Sequence, residues 1–314
     1  MNDRATDRVL IDQWREEPAP LLPLLHAFHE RDGWLTEDAL RAVSCGLKIP
    51  LAELFGTVTF YHHFSQEPPG RELPRVCDGP VCRFQGASDL IEKLNAKPMP
   101  CAGRCDGPVP VLQADEVLTG LSVDQTISEP SLLPSPNPGA IEECVFAHIR
   151  EPGRVALEGY RKTGGYDCLK GVLAETPEHL VSLITESRLA GRGGAGFSTG
   201  KKWAMVAEAP GQPKTIVCNA DEGEPGCFKD RVLLHYDPHA ILEGMLLAAY
   251  ATGAKRGFIY LRYEYPETQA VLEHAITEAM DAGFLGKSIC GKTGFDFDIF
   301  VRRGAGAYIC GEEG

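Results

Sequence analysis

The chain has 314 residues, which corresponds to about two domains of ordinary size. Its 43% hydrophobic and 24% charged residues are typical of a globular protein, and a net charge of −13 without a basic stripe argues against a nucleic-acid binder. No apolar run approaches the roughly 20 residues of a membrane helix. The charged first residues also lack the apolar stretch of a signal peptide. We therefore expect a cytoplasmic protein without a membrane-spanning segment.

The first part of the sequence predicts a small helical cap over residues 7–65. Apolar residues in LLPLLHAFHERDGWL recur at helical spacing, and Gly33 is placed to end that helix. Thr36 is the expected N-cap of the next helix, and Pro50 is placed to open a third one. We expect the aromatic side chains at the end of this region to lie in the core: Phe55, Phe60, Tyr61 and Phe64.

The next segment predicts a compact α/β unit. A short strand runs into a loop in ELPRVCDGPVC, and a short helix follows in ASDLIEKLNA. The segment PMPCAGRCDGPVPVLQADEVLTGL then predicts a loop and two short strands, with Asp115 and Glu116 at the turn. Residues 128–145 begin with a stretch rich in proline and serine, so we expect a linker there.

The second half alternates between helical and strand patterns. Helices are predicted in TPEHLVSLITES, PHAILEGMLLAAYATG and PETQAVLEHAITEAMDAG, and strands in PKTIVCNA, RGFIYLR and FDFDIFVRRG. Strands that alternate with helices pair in parallel, because each crossover helix returns the chain to the same end of the sheet. The sequence thus predicts a parallel sheet covered by helices.

Four of the eleven cysteines form two close pairs: Cys77, Cys82, Cys101 and Cys105. Eighteen residues separate the pairs, and both lie in loops with glycine or proline that leave backbone N–H groups available to sulfur. Four thiolates in this arrangement suit a 2Fe–2S cluster, while spacing alone also permits a zinc ion. We expect most of the other seven cysteines to be ordinary buried thiols.

Three further motifs are rich in glycine or acidic residues. Residues 191–203, GRGGAGFSTGKKW, let backbone N–H groups approach a phosphate or a flat ring, although glycine content alone also fits a flexible loop. Residues 218–231, CNADEGEPGCFKDR, follow a predicted strand, and residues 302–313, RRGAGAYICGEE, repeat the pattern of glycines, an aromatic residue and paired carboxylates.

The cysteine pattern, after FGTVTFYHHF, resembles the thioredoxin-like 2Fe–2S subunit of complex I. The other three motifs occur in the order found in the NADH-oxidising flavoprotein subunit of complex I. They also resemble the β subunit of NAD-dependent formate dehydrogenase and the diaphorase subunit of NAD-reducing hydrogenase. The resemblance implies an α/β chain with a helical cap and thioredoxin-like ferredoxin domain over residues 1–127 and a linker over residues 128–145. An incomplete Rossmann-like FMN- and NADH-binding domain follows over residues 146–314.

The resemblance also implies residue roles. Cys77, Cys82, Cys101 and Cys105 would ligate the 2Fe–2S cluster, and Glu224 and Glu312 would be the catalytic carboxylates. Phe197 would stack on adenine and Lys202 would contact phosphate. The residues implied to bind FMN or NAD(H) are Gly191, Arg192, Gly193, Gly194, Ala195, Gly196, Phe197, Gly200, Lys202, Asn219, Asp221, Glu222, Glu224, Tyr308, Gly311, Glu312 and Glu313.

The implied activity is that of an NADH dehydrogenase-type flavoprotein subunit that transfers electrons between NAD(H), FMN and iron–sulfur clusters. Its implied partners are the catalytic subunit of a formate dehydrogenase or hydrogenase and a small iron–sulfur subunit. In the family a four-cysteine segment with a 4Fe–4S cluster follows the last motif, so we expect a flavin domain truncated at its C-terminus. The alternative is a non-catalytic assembly or binding module that retains the iron–sulfur, or zinc, domain.

Overall fold

The computed structural model describes residues 4–120, 125–126, 133 and 143–309. Most of the predicted linker lies outside these residues. The α-helices are α1 (Arg4–Trp14), α2 (Leu21–Asp32), α3 (Glu37–Leu47), α4 (Leu51–Phe60), α5 (Pro80–Phe84), α6 (Ala87–Leu94), α7 (Leu157–Lys162), α8 (Leu169–Ala174), α9 (Pro177–Glu186), α10 (Thr199–Glu208), α11 (Lys229–Tyr236), α12 (Pro238–Thr252) and α13 (Pro266–Asp281). The strands are β1 (Arg75–Cys77), β2 (Lys97–Met99), β3 (Pro110–Gln113), β4 (Glu116–Thr119), β5 (Gln125–Thr126), β6 (Thr215–Ala220), β7 (Arg256–Leu261) and β8 (Asp298–Arg303).

Helices α1 to α4 form the predicted cap. Gly33 ends α2 in a left-handed conformation, the Thr36 hydroxyl accepts a hydrogen bond from a backbone N–H of α3, and Pro50 directly precedes α4. These three predictions are confirmed. Tyr61 and Phe64 are buried as expected, but the prediction is wrong for Phe60, whose side chain is 41% exposed. Phe60 is the last residue of α4, on the solvent side of the helix end.

A five-stranded sheet follows, in the order β2-β1-β3-β4-β5. Strand β2 pairs with β1 in parallel, and the remaining neighbours are antiparallel. The turn between β3 and β4 consists of Ala114 and Asp115, so Glu116 already belongs to β4, one residue from the predicted turn. Val76, Leu90 and Val111 belong to the buried core between this sheet and its helices.

The second half contains the predicted parallel sheet, in the order β6-β7-β8. Helices α12 and α13 bury Leu246 and Leu272 in the same core as Ile259 of β7. Because the three strands run in one direction, their carboxyl ends meet at one edge, which we call the carboxyl edge. The short helices α7, α8, α10 and α11 were not predicted.

The cap packs against the carboxyl edge. The backbone N–H of His62 donates to the carbonyl of Gly306 at 2.8 Å, and that of His63 donates to the carbonyl of Ala305 at 2.9 Å. Ala305, just beyond β8, is fully buried within the apolar core of the cap. Among the described residues, no helix has the length and apolar character needed to cross a bilayer.

Candidate functional site

The four paired cysteines converge where the five-stranded sheet begins. Cys77 ends β1, Cys82 lies in α5, and Cys101 and Cys105 lie in the loop between β2 and β3. The Cys77 thiol contacts those of Cys82 and Cys101, and the sulfurs of Cys101 and Cys105 are 3.5 Å apart. Cys77, Cys82 and Cys101 are buried and Cys105 is half-buried. The structure thus brings together all four predicted ligands.

Backbone N–H groups point at three of these sulfurs. The N–H of Ala102 donates to the Cys77 sulfur at 3.4 Å, that of Gly103 to the Cys101 sulfur at 3.4 Å, and that of Gly226 to the Cys105 sulfur at 3.2 Å. Such hydrogen bonds stabilise thiolates and set the potential of an iron–sulfur cluster.

The chemistry of the thiols fits a metal cluster. Burial raises the pKa of Cys105, and a hydrogen bond with Cys77, followed by burial, raises the pKa of Cys101. Thiolates at these positions therefore need a cation to offset their lost hydration. The four buried or half-buried thiols, with backbone N–H donors to three of their sulfurs, therefore suit an iron–sulfur cluster.

The first glycine motif forms a loop between α9 and α10. Its two ends are joined by a bridge between Ala190 and Ser198 and by a 2.8 Å hydrogen bond from the Gly191 N–H to the Phe197 carbonyl. The Ser198 hydroxyl then caps α10. Gly194 lies in the left-handed region at φ +102°, where a side chain would be strained. The exposed loop therefore presents its backbone to a ligand at the start of a helix.

The acidic motif forms the last two residues of β6 and the loop that follows, which together we call the acidic loop (residues 219–228). The Glu222 carboxylate accepts hydrogen bonds from the backbone N–H groups of Asp230 at 2.9 Å and Arg231 at 3.1 Å. These donors belong to the first turn of α11, where a carboxylate is favoured by the helix dipole. Glu222 therefore fixes the acidic loop to α11, which is a positioning role, while its direct contact with the flavin stays a prediction.

Glu224, a second acidic residue of the acidic loop, contacts the third motif through a hydrogen bond. The Tyr308 hydroxyl donates a hydrogen bond to Glu224 Oε1 at 2.6 Å. This hydrogen bond is the largest cause that lowers the pKa of Glu224, and a hydrogen bond from its own backbone N–H adds to it. Glu224 is therefore held as a carboxylate at the mouth of the site.

A cavity of about 520 Å³ opens between the three motifs. The predicted residues that line it are Arg192, Gly193, Gly194, Asn219, Asp221, Glu222, Glu224 and Tyr308. Lining residues that we did not predict are Cys218, Cys227, Lys229, Asp230, Leu233, Leu234 and Ile241. The cavity has the size of a small-molecule site and combines carboxylates, a lysine and apolar side chains.

Several predicted residues lie away from this cavity. Gly191, Ala195 and Gly196 belong to the outer part of the glycine loop, Phe197 is 49% exposed, and Lys202 is exposed on α10. A Cβ atom at Gly200 would lie 2.6 Å from the backbone of Thr185, so this glycine permits close packing of α10 on α9. Gly311, Glu312 and Glu313 lie outside the described residues.

The expectation that most of the remaining cysteines are buried is wrong for those that the structure describes. Cys45, Cys144, Cys168 and Cys290 are exposed. Cys218 and Cys227 are half-buried and line the cavity. Cys218 could have been found from the strand alternation of PKTIVCNA, which places it on the same face of β6 as Ile216 and Ala220.

Family models match both halves of the chain. Residues 8–128 match the thioredoxin-like [2Fe-2S] ferredoxin, and residues 184–314 match the Nuo51 FMN-binding domain. The four converging thiols and the three-motif cavity lie within these two matches. The two halves of the chain thus resemble, in this order, a thioredoxin-like [2Fe-2S] ferredoxin and a Nuo51 FMN-binding domain.

Its relatives align with the whole chain or with about half of it. The alpha subunit of the NAD-reducing hydrogenase HoxS of Cupriavidus necator is 34% identical, over 100% of this chain and 57% of that protein. The matching subunit of the NADH-quinone oxidoreductase of Aquifex aeolicus is 50% identical over 54% of this chain and 39% of its own length, and its Escherichia coli counterpart is 49% identical over 51% and 36%. An air-oxidized NAD+-reducing [NiFe]-hydrogenase structure superposes with a TM-score of 0.68 at 28% identity, over 95% of this chain and 54% of that chain. The chain therefore spans about half the length of its hydrogenase relatives.

Proposed function

We propose that this chain is the NADH-oxidising part of a redox complex, in which electrons pass between NAD(H), FMN and a 2Fe–2S cluster. The observation that supports this most directly is the position of the acidic loop. One end of this loop lines the cavity with Asn219 and Asp221, while the N–H of Gly226 in the same loop donates to the Cys105 sulfur. A site for a flat redox cofactor and a site for a cluster are therefore adjacent.

The cofactors supply the redox chemistry: FMN exchanges two electrons with NAD(H) and single electrons with iron–sulfur clusters. The protein contributes position and charge. The glycine loop with Arg192 offers N–H groups and a cation to the phosphates of FMN and NAD(H), and Phe197 remains proposed to stack on adenine. Asn219 and Asp221 hold the flavin, and Glu224 lies on the nicotinamide side, oriented by Tyr308. Glu312 is a second proposed catalytic carboxylate.

The partner that we propose is the catalytic part of an NAD-reducing hydrogenase, together with a small iron–sulfur subunit. The hydrogenase relative aligns with this whole chain, whereas the NADH-quinone oxidoreductase relatives align with little more than half of it. A formate dehydrogenase partner, expected from the resemblance, is the alternative.

The division at residues 1–127, 128–145 and 146–314 also remains a proposal, supported by one sheet on each side of the linker. A cytoplasmic location also remains a proposal. It suits a chain with eleven cysteines, four of them clustered, because cytosolic thiols stay reduced.

The test is anaerobic purification of the full chain, reconstitution with iron, sulfide and FMN, and assay of iron, labile sulfide, flavin and NADH-dependent ferricyanide reduction. We expect two irons, two sulfides and one flavin per chain. Cys77→Ser should abolish the iron signal, while the matched control Cys144→Ser, at an exposed cysteine outside the cluster, should retain it.

The outcomes separate the alternatives. Iron without flavin or NADH oxidation would support a non-catalytic assembly or binding module. Zinc in place of iron would support a zinc-stabilised interaction domain. Full iron content in Cys77→Ser would show that the ligand assignment is wrong.

A further inference from the structure

The cysteine loop (residues 101–105) is joined to the acidic loop by three separate contacts. The Gly226 N–H donates to the Cys105 sulfur at 3.2 Å. The Tyr265 hydroxyl lies within 3.3 Å of the Gly103 carbonyl and 3.4 Å of Glu222 Oε2. Both loops are therefore connected through groups of the flavin domain as well as by direct contact.

The third contact is made by Arg262, which follows β7 at the carboxyl edge. One nitrogen of its guanidinium donates to the carbonyl of Cys101 at 2.6 Å, and another donates to the carbonyl of Glu222. A single planar side chain thus links a cluster ligand with a cavity residue. Lysine, with one ammonium group, cannot make this pair of contacts in the same geometry.

The surroundings of Arg262 keep it charged and fixed. The side chain is buried, and burial alone would disfavour its charge, but Glu264 and neighbouring groups raise the pKa of Arg262 above its ordinary value. Its guanidinium contacts Glu264 at 3.1 Å, and it lies 5.1 Å from the ring centroid of Tyr265. A buried, paired guanidinium has little freedom to leave these positions.

A positive group beside a cluster ligand raises the reduction potential of the cluster. Reduction adds one negative charge to a 2Fe–2S cluster, so cations and N–H dipoles near its ligands favour the reduced form and raise its potential. Because Arg262 also donates to the carbonyl of Glu222, one side chain holds both the acidic loop and the backbone of Cys101.

We propose that Arg262 is a positioning residue that couples the cluster to the flavin cavity. It raises the reduction potential of the cluster, and it makes that potential depend on whether a ligand occupies the cavity. This inference rests on the proposed function, because it requires a cluster on the four cysteines and a flavin in the cavity. By linkage, a flavin that shifts the cluster potential is itself bound with different affinity by the oxidised and reduced protein.

The test is the midpoint potential of the cluster in the reconstituted full chain, measured by redox titration with electron paramagnetic resonance, without and with FMN. We expect Arg262→Gln to favour the oxidised cluster at least tenfold, which is about 59 mV for a one-electron couple. It should also abolish the shift that FMN causes in the unsubstituted chain. The matched control is Arg256→Gln, at an exposed arginine at the opposite end of the same strand.

Two further variants separate charge from geometry. Arg262→Lys should keep a potential close to that of the unsubstituted chain but lose the FMN-dependent shift. Tyr265→Phe deletes only a hydroxyl group and should reduce the shift without removing it, which provides a readout if Arg262→Gln fails to fold.

The outcomes distinguish the two proposals. A chain that forms no cluster signal overturns the proposed function and this inference together. A normal signal whose potential and FMN-dependent shift are the same in Arg262→Gln, Arg262→Lys and the unsubstituted chain overturns the inference alone.

Discussion

Substitution of Gly103 by alanine tests the packing of the cysteine loop against the flavin domain. Gly103 has φ +66°, and a Cβ atom there would lie 2.1 Å from the Tyr265 hydroxyl oxygen and 2.8 Å from a nitrogen of Arg262. A non-glycine residue in the left-handed region costs about 1–2 kcal/mol. Forcing a methyl group into a packed site costs about 1–3 kcal/mol more. We therefore expect Gly103→Ala to destabilise the chain by about 2–5 kcal/mol.

The assay is thermal unfolding of the reconstituted chain, with loss of cluster absorbance followed in the same scan. For domains of this size each kcal/mol corresponds to roughly 2–4 °C in Tm. The matched control is Gly107→Ala, in the same loop region, where an added Cβ meets no atom within 4 Å. It should leave Tm and cluster loss nearly unchanged.

The double variant Gly103→Ala with Tyr265→Phe identifies the cause. Removing the hydroxyl takes away the nearest clashing atom, while the tyrosine Cζ at 2.9 Å and the arginine remain, so the double variant should recover part of the lost stability. The reasoning is refuted if Gly103→Ala matches Gly107→Ala in Tm and cluster retention, or if deletion of the hydroxyl recovers nothing.

Two further predictions concern protonation. Tyr308→Phe removes the largest cause that lowers the pKa of Glu224, so Glu224 should become protonated at a higher pH. Carboxylate titration by NMR should show the rise, and an unchanged titration would contradict the hydrogen bond. Burial lowers the pKa of His26 to about 3 and that of His29 to about 4. Below about pH 6.5 the unfolded chain binds protons at both sites while the native chain does not, so stability should fall by about 1.4 kcal/mol per pH unit per histidine until the native pKa is reached. Denaturant unfolding between pH 7 and 4 measures this slope, and His29→Gln should reduce it; an equal slope in both proteins would contradict the assignment.

Local sequence signals were sufficient for most elements. Glycine and threonine at helix ends define α2 and α3 because capping depends on neighbouring residues alone. The convergence of the four paired cysteines could be predicted because their spacing and residue type together indicate a metal site, while their role as cluster ligands stays a prediction. Phe60 was misplaced since its aromatic neighbours suggested a core, while its burial depends on where α4 ends relative to the rest of the cap.

Contacts between distant segments could not be predicted from the sequence. The sequence predicts Glu222 to lie beside the flavin, but its carboxylate accepts hydrogen bonds from the first turn of α11. Nothing in the sequence indicates that a helix begins there. Arg262 stands in an ordinary strand-end segment. Its position between Cys101 and Glu222 depends on how two domains pack, which local patterns do not encode.

The fully buried Ala305 of the cap core has a consequence for biosynthesis. The cap helices leave the ribosome well before strand β8, yet their core and the hydrogen bonds of His62 and His63 are completed only by residues 305–306, some 240 positions later. At ordinary elongation rates of about 5–20 residues per second, the nascent cap waits many seconds with apolar surface uncovered. The cap therefore reaches its final packing only after residues 305–306 have been translated.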